Sequence, residues 1–312
     1  MGYSSNFVNV IFSVLLLIAL GYLAKTIKFP RQNHPLFKKE DANFLDNLII
    51  YLTMPALIFE AVISSAPRFM YLEITLLAFL LMIFLAVVAY IVGKALSLKP
   101  ATLGAFILVA AVGNTGYLGY TIVSSVYGKS GLVKAFFYDI FGTVVFVFTI
   151  GLYIAETYGT HDGKIKKLKE ILTFPALIAL VLALLLRNFA LPAFFLKAVS
   201  YLAKATIPLI MLSVGLSLEA KKAKNYLGLS IFVVVIKLLI SPLLAYFGGL
   251  LGQMSSDLLK VAVLEASMPS AMLTLVIGRK HKLDTDFIPA AIVITTLLGL
   301  LTISLWQLVL KF

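Results

Sequence analysis

Long stretches without a charged residue constrain this chain more than any other feature. The stretches Ala101–Gly128, Ile74–Gly93 and Phe287–Leu310 contain no Asp, Glu, Lys or Arg. At a rise of about 1.5 Å per residue, a helix of this length crosses a hydrocarbon core of about 30 Å. The whole chain is 61% hydrophobic and only 13% charged, whereas soluble domains are about a quarter charged. These observations predict an all-α integral membrane protein with almost no soluble part.

Apolar runs separated by polar breaks predict ten transmembrane helices. The segment before the first run, Met1–Asn6, has no basic residue. Because a cleavable signal peptide begins with basic residues, the first span is expected to stay in the mature protein. The spans are expected near residues 7–27, 42–65, 71–97, 101–127, 132–156, 168–188, 193–219, 225–250, 257–279 and 285–311.

The basic residues predict the orientation of these spans. Most of the 26 Lys and Arg residues fall between spans 1 and 2, 3 and 4, 5 and 6, 7 and 8, and 9 and 10. The positive-inside rule makes these connections cytoplasmic and puts both termini of a multi-pass protein of the cell (inner) membrane outside the cytoplasm. Topology therefore accounts for the net charge of +12, and no nucleic-acid partner is expected. The chain has no cysteine, and its three histidines fall in polar connections, so no metal site is expected.

The two halves of the chain share short sequence features in one register. Each half holds five predicted spans, an odd number, so equivalent helices run in opposite directions. We therefore predict a 5+5 inverted repeat, with residues 1–157 as the first five-helix repeat, 158–167 as a short cytoplasmic linker and 168–312 as the second repeat. At an offset of 153 residues, Thr53-Met54-Pro55 pairs with Thr206-Ile207-Pro208, Asn114-Thr115-Gly116 with Ser267-Met268-Pro269, and Lys99-Pro100-Ala101 with Gly252-Gln253-Met254.

Spans 4 and 9 each contain a polar break near the middle, at Gly113–Gly116 and Ser267–Ser270. Glycine weakens a helix, and proline removes an N–H group and clashes with the preceding turn. Backbone groups freed at this depth cannot face lipid, so they line a cavity enclosed by protein. Paired interrupted helices in corresponding halves indicate a transporter's binding site, although two simple kinks absorbed by packing are the alternative. The predicted substrate-binding residues are Asn114, Thr115, Tyr117, Ser267, Met268, Pro269 and Ser270, with Lys204.

Three segments resemble the auxin efflux carrier family, which includes plant carriers and prokaryotic organic-acid permeases. They are Asn114–Gly119 in span 4, Ala205–Pro208 in span 7 and Ala266–Ala271 in span 9. The resemblance implies a scaffold of spans 1, 2, 6 and 7 that often forms a homodimer surface. It also implies a mobile transport domain of spans 3–5 and 8–10, whose two broken helices cross at the site, in a fold shared with bile acid sodium symporters. The connection between spans 5 and 6 is short, whereas plant carriers have a long loop there. A prokaryotic-type member is therefore favoured.

Charged residues at membrane depth are the candidates for ion coupling, because each costs free energy unless it has a partner or a function. Glu265 lies one turn before the span-9 break, where bile acid symporters have a glutamate that takes part in sodium binding. Asp139 in span 5 and Lys237 in span 8 are the other candidates, although Lys237 also suits a structural ion pair with either carboxylate. Lys204 and Glu60 either reach the membrane interface or form a structural pair with each other, and Lys204 could instead supply positive charge to an anionic substrate.

These features predict a secondary transporter that moves a small organic anion by alternating access, with no cofactor and with H⁺ or Na⁺ as the coupling ion. Its expected partners are the anion, membrane lipid and a second copy of the chain. A monovalent cation/proton antiporter that uses Glu265 and Asp139 is an alternative, and so is a lipid or sterol sensor built on a transporter fold. An enzyme is disfavoured, because the sequence has no Ser/His/Asp, HExxH or phosphate-loop pattern at usable spacing.

The topology can be tested by cysteine labelling, because the natural chain has no cysteine. A cysteine that replaces Gly163 in the linker is expected to react with an impermeant maleimide only from the cytoplasmic side. A cysteine that replaces Phe312 is expected to react only from outside. Labelling of both positions from the same side would contradict the ten-span count.

Overall fold

The computed structural model describes residues 2–27, 37, 41–64, 71–160, 173, 175–218 and 224–310, and the regular elements in these ranges are helices. Several of the longer helices contain π-helical turns, such as Ile49–Thr53 and Thr115–Gly119. In chain order the helices are α1 (Gly2–Thr26), α2 (Asp41–Ile63), α3 (Tyr71–Ala95), α4 (Pro100–Ala111), α5 (Thr115–Tyr158), α6 (Pro175–Leu186), α7 (Ala193–Ser217), α8 (Lys224–Leu251), α9 (Ser256–Ala266), α10 (Leu273–Lys280) and α11 (Phe287–Val309).

Six of these helices are long and apolar enough to cross a membrane, namely α2, α3, α5, α7, α8 and α11. Shorter apolar helices cover Phe12–Thr26 within α1, the whole of α4 and the whole of α6. The prediction of an all-helical, multi-pass membrane protein is therefore confirmed for the described part of the chain. The count of ten spans and the 5+5 repeat stay predictions.

The break predicted between spans 4 and 5 lies at Gly128. Residues 115–158, named α5, consist of two helical stretches joined by a kink at this residue. Gly128 has φ 64° and ψ −159°, a backbone conformation that glycine adopts without steric cost. One glycine thus changes the chain direction where the polar residues around it indicated a break between two helices.

The described helices form two compact units, and the first contains α1, α2, α6, α7 and residues 120–133 of α5. In this unit α1 and α7 approach each other at two glycines. A Cβ atom on Gly21 would lie 2.3 Å from the Leu212 carbonyl oxygen, and one on Gly215 would lie 2.1 Å from the Ile18 carbonyl oxygen. Small residues allow helix backbones to pack this closely in membranes, so both glycines are needed for this contact.

Polar contacts in the first unit satisfy backbone carbonyl groups. Thr206, which is fully buried in α7, donates its hydroxyl to the Thr53 carbonyl at 2.8 Å, next to the π turn of α2. The Lys25 ammonium donates to the Leu216 carbonyl at 2.6 Å and also to the Leu218 carbonyl. Lysine at a helix C-terminus satisfies carbonyls that lack an intrahelical partner.

The second unit contains α3, α4, residues 115–119 and 134–158 of α5, and α8 to α11. Phe106 of α4 stacks on Phe287 of α11 with ring centroids 6.2 Å apart. Asp284 accepts hydrogen bonds from the Thr102 hydroxyl at 2.8 Å and from the Phe287 amide at 3.0 Å. These contacts fix the start of α11 against α4, beside the interrupted part of the chain.

Some predictions concern residues or motions that the structure does not describe. Residues 161–167 of the predicted linker, the first part of predicted span 6 and basic residues such as Arg68 and Lys164 lie outside the described residues. The division into a scaffold and a mobile transport domain also stays a prediction, because it concerns movement between groups of helices.

Candidate functional site

Two helices of the second unit are interrupted where the sequence predicts polar breaks. Helix α4 ends at Ala111 and α5 begins at Thr115, while α9 ends at Ala266 and α10 begins at Leu273. Val112, at the end of α4, has extended backbone angles of φ −95° and ψ 116°. Proline lacks an N–H group and disfavours helical angles in the residue before it, which accounts for the break around Pro269.

The two interruptions pair with each other through their backbones. The Asn114 amide donates to the Pro269 carbonyl at 2.7 Å, and the Ala271 amide donates to the Val112 carbonyl at 3.0 Å. Gly113 and Ser270 thereby form an isolated antiparallel bridge. We call these paired segments, residues 112–114 and 267–272, the crossing. Buried N–H and C=O groups in proteins are almost always hydrogen-bonded. At the crossing, the backbone groups that the two interruptions free are hydrogen-bonded to each other.

The two serines of the crossing stabilise it through hydrogen bonds. Ser270 donates its hydroxyl to the Val109 carbonyl at 2.6 Å, and its amide donates to the Thr295 hydroxyl at 3.2 Å. Ser267 donates its hydroxyl to the Leu264 carbonyl at 2.7 Å, at the end of α9. Both serines and Met268 are fully buried. The structure therefore places these three predicted substrate residues inside the crossing, with both serine hydroxyls already bonded to carbonyl groups.

Asn114, Thr115 and Tyr117 follow one another at the start of α5. The Thr115 hydroxyl contacts the Asp139 carboxylate at 2.5 Å and the Thr143 hydroxyl at 3.1 Å, and all three residues are buried. Asn114 is 6% exposed and uses its backbone carbonyl to accept a hydrogen bond from the Gly119 amide at 3.0 Å. Tyr117 is half-buried. The first turn of α5 therefore combines an asparagine amide with a threonine that is held by Asp139.

Glu265 is buried in the last turn of α9, with no exposed surface. Neither carboxyl oxygen has a hydrogen-bond partner among the described residues. The carboxyl group lies against Gly119, where a Cβ atom would be 2.2 Å from Oε2 and 2.7 Å from Cδ. The hydrogen-bonded pair of Glu265 and Lys237 that the sequence left open is therefore absent. Burying a carboxyl group without a hydrogen-bond partner costs free energy.

Lys237 lies at the same crossing but binds other groups. Its ammonium donates to the Ala266 carbonyl at 2.9 Å and to the Ser241 hydroxyl at 3.2 Å, and the residue is 2% exposed. A Cβ atom on Gly113 would lie 2.9 Å from Cε and 3.0 Å from Nζ of Lys237. The predicted ion-coupling residues Glu265, Asp139 and Lys237 thus all belong to the second unit, around the crossing.

Lys204 and Glu60 belong to the first unit. Lys204 is exposed on α7. Glu60 forms an ion pair with Lys129 at 3.3 Å, and the Lys129 side chain is 54% exposed. The Glu60–Lys204 pair considered from the sequence is therefore replaced by a Glu60–Lys129 pair, which became visible only once α5 was folded beside α2 in this unit.

Sequence reasoning missed three residues that shape the site, namely Gly119, Ser241 and Thr295. Ser241 follows Lys237 by four residues, which places both on one face of a helix, and this spacing could have identified it. Gly119 was noted in the sequence only as part of the segment that resembles the family. No sequence pattern indicated that Glu265 would pack against it. Within the described residues, no three His, Cys, Asp or Glu side chains cluster in a way that could hold a metal ion.

Apolar helices of membrane length, together with two interrupted helices whose backbones pair, define a multi-pass membrane transport protein. Comparison with known proteins agrees. A profile of the family described as membrane transport protein matches residues 6–162 and 156–307. The chain belongs to this family, which also contains auxin efflux carrier-like proteins, so the predicted resemblance is confirmed.

Relatives of this chain are named as transporters. An uncharacterized transporter of Methanocaldococcus jannaschii is 36% identical over 307 residues, which cover 96% of this chain and 97% of the relative. A candidate malonate transporter of Rhizobium meliloti is 28% identical over 316 residues, which cover 92% of this chain and 91% of the relative. A candidate auxin efflux carrier component of Oryza sativa is 25% identical over 132 residues, which cover 41% of this chain and 22% of the relative.

The packing of Glu265 on Gly119 predicts the effect of one methyl group. In Gly119→Ala, the new Cβ atom would overlap the Glu265 carboxyl group, so α9 or the first turn of α5 must shift. Overpacking of this kind costs about 1–3 kcal/mol, which we expect to appear as a melting temperature several degrees lower in detergent.

Gly228→Ala is the matched control, because Gly228 lies in a helix and has no atom within 4 Å of its Cβ position. It is expected to leave the melting temperature unchanged or to raise it slightly, since alanine favours a helix more than glycine does. Equal effects of the two substitutions would show that Glu265 does not constrain Gly119.

Proposed function

We propose that this protein is a secondary transporter that moves a small organic anion across the cell membrane by alternating access. The observation that carries this proposal is the crossing, where two interrupted helices pair through Asn114 and Pro269. In many transporters, half-helices of this kind surround the substrate site near the middle of the membrane.

The chemistry of the crossing supports an anionic substrate. Helices α5 and α10 begin at Thr115 and Leu273, directly after the two interruptions. The first amides of a helix lack intrahelical partners and carry partial positive charge, which suits a carboxylate. The Asn114 amide adds two N–H donors and one acceptor. Of the predicted substrate residues in the second unit, Asn114, Thr115 and Tyr117 are proposed to contact the anion. Ser267, Met268, Pro269 and Ser270 hold the backbone that surrounds it. The substrate role of Lys204, which belongs to the first unit, stays a prediction.

Malonate is the first substrate to test. A relative that aligns with 92% of this chain is named as a candidate malonate transporter, and malonate is a small dicarboxylate of the proposed chemical class.

The remaining features of the proposal concern architecture. We propose ten spans in a 5+5 inverted repeat, with both termini outside the cytoplasm and with spans 1, 2, 6 and 7 forming a scaffold and a homodimer surface. The sequence offset between the two interruptions and the placement of basic residues support this arrangement. Side chains such as Phe44 and Phe194 expose large apolar surfaces on helices of the first unit, as contact with lipid or with a second copy requires.

A monovalent cation/proton antiporter is the second candidate, and Glu265 is the observation that favours it. A buried carboxyl group without a hydrogen-bond partner is suited to exchange a proton for another cation. In reconstituted vesicles, such an antiporter would move protons against a sodium or potassium gradient when no organic anion is present.

Asn114→Ala tests the position of the substrate site. Loss of a hydrogen-bonding partner in a buried site costs about 1–3 kcal/mol, so we expect malonate to bind at least about tenfold more weakly. The measurement is isothermal titration calorimetry with purified protein in detergent, together with the thermal shift that malonate causes.

The control for this experiment is Asn225→Ala, because Asn225 is exposed in the first turn of α8 and lies far along the chain from the crossing. It is expected to bind malonate as the natural protein does. If the Asn114 variant binds malonate as tightly as the natural protein does, the substrate site does not lie at the crossing. If malonate and a panel of other small carboxylates all fail to stabilise the natural protein, the proposed substrate class is wrong.

Glu265→Gln tests ion coupling. The substitution keeps the shape of the side chain but fixes it in a neutral form, in surroundings where Asp139, Lys237 and Tyr138 interact electrostatically with Glu265. Because coupling free energies between two sites are reciprocal, the natural protein is expected to bind substrate with an affinity that depends on the coupled ion. The variant is expected to lose this dependence on pH or sodium and to retain part of its substrate affinity. Full ion dependence in the variant would make Glu265 structural and would leave Asp139 as the coupling residue.

A further inference from the structure

The C-terminal end of α9 brings partial negative charge to the crossing. The last carbonyls of a helix have no intrahelical partner and carry partial negative charge. In transporters with broken helices, such half-helix ends coordinate a coupling cation. In this chain the Ala266 carbonyl, at the end of α9, accepts hydrogen bonds at 2.9 Å from both the Lys237 ammonium and the Ser241 hydroxyl.

The Lys237 ammonium reaches this carbonyl from α8 and also covers the other interruption. A Cβ atom on Gly113 would lie 3.0 Å from Nζ, so the charge lies directly over the backbone of the first interruption. Ser241, one turn further along α8, donates to the Ala266 carbonyl and accepts from Lys237 at 3.2 Å. The ammonium, the hydroxyl and the carbonyl form a closed polar group of three that is buried at the junction of both interrupted helices.

The electrostatics of this junction favour a fixed cation. The carboxyl group of Glu265 immediately precedes Ala266 and is fully buried, and Asp139 is held against Thr115 in the same unit. A positive charge within reach of these groups offsets part of the cost of burying them, because electrostatic interactions are strong where water is excluded. An ammonium that is covalently attached to α8 supplies this charge and cannot diffuse away from the junction.

We propose that Lys237 is a resident cation that occupies the end of half-helix α9, where a metal cation would otherwise bind, and that the carrier therefore needs no sodium there. This inference deepens the proposed function and rests on it for the role of the crossing in transport. It assigns the Ser241 hydroxyl as the positioning group that orients the ammonium toward the Ala266 carbonyl.

The test uses chemical rescue and needs no substrate. Lys237→Ala removes the side chain beyond Cβ, and n-propylammonium has the size and charge of the missing part. We expect this variant to melt roughly 5 °C or more below the natural protein, as the loss of a buried partner predicts. Propylammonium chloride is expected to restore at least about half of this shift, because it binds only the folded state. Choline chloride at the same ionic strength is expected to restore none of it.

Two control variants separate charge from volume. Lys237→Met fills most of the space without the charge, so it is expected to melt below the natural protein and to gain nothing from propylammonium. Lys197→Ala removes an exposed lysine of α7 and is expected to change neither the melting temperature nor the response to propylammonium. If Lys237→Met is as stable as the natural protein, or if propylammonium stabilises both alanine variants equally, the proposal is overturned.

The Glu265→Gln variant, which lacks the carboxylate proposed for ion coupling, supplies a further measurement. Its melting temperature is expected to be the same in sodium chloride and in choline chloride at equal ionic strength. A specific increase in sodium would show that a metal cation binds at the end of α9 and would overturn the proposal. Failure of malonate to bind would leave these results unchanged, so the failure of the proposed substrate class and the failure of this inference are distinguishable.

Discussion

The rest of the site depends on one requirement, which is that every backbone group freed inside an apolar protein must find a partner. Interrupting α4 and α9 frees amides and carbonyls that water cannot reach. The chain satisfies them by pairing one interruption with the other, through the Asn114 amide on the Pro269 carbonyl and the Ala271 amide on the Val112 carbonyl. Because each interruption supplies what the other lacks, neither would be stable alone. The exact placement of both helices in the second unit follows from this short pairing.

The crossing also depends on two glycines that allow titratable side chains to pack closely against its backbone. Gly113 allows the Lys237 ammonium to lie over the first interruption, and Gly119 allows the Glu265 carboxyl group to lie against the first turn of α5. A side chain at either position would push a buried charged or polar group away from the crossing. The two glycines thus provide the space for polar side chains whose burial costs free energy. The two groups differ in one respect, since Lys237 has two hydrogen-bond partners and Glu265 has none among the described residues.

This difference divides the polar residues of the second unit into two kinds. Ser267, Ser270, Ser241 and Lys237 satisfy carbonyl groups and therefore maintain the interrupted backbone. The Glu265 carboxyl group has no hydrogen-bond partner among the described residues, so its burial costs free energy. Asn114 lies between the two kinds, because its backbone pairs with Pro269 while its side-chain amide remains a donor and acceptor at a slightly exposed position.

The sequence by itself determined the helical membrane class, the positions of the two interruptions and the family. These follow from local properties, namely uncharged apolar length, the effect of glycine and proline on a helix, and short motifs such as Asn114–Gly119. It also identified the buried charged residues, because a charge inside an apolar run is visible without a structure. Only the tertiary structure decided which groups pair, since hydrogen bonds such as Lys237 to Ala266 and Thr115 to Asp139 join residues far apart or on different helices. The sequence also indicated a break after span 4, and only the folded chain shows that this break is a kink at Gly128, because the positive φ of one glycine is enough to change the chain direction.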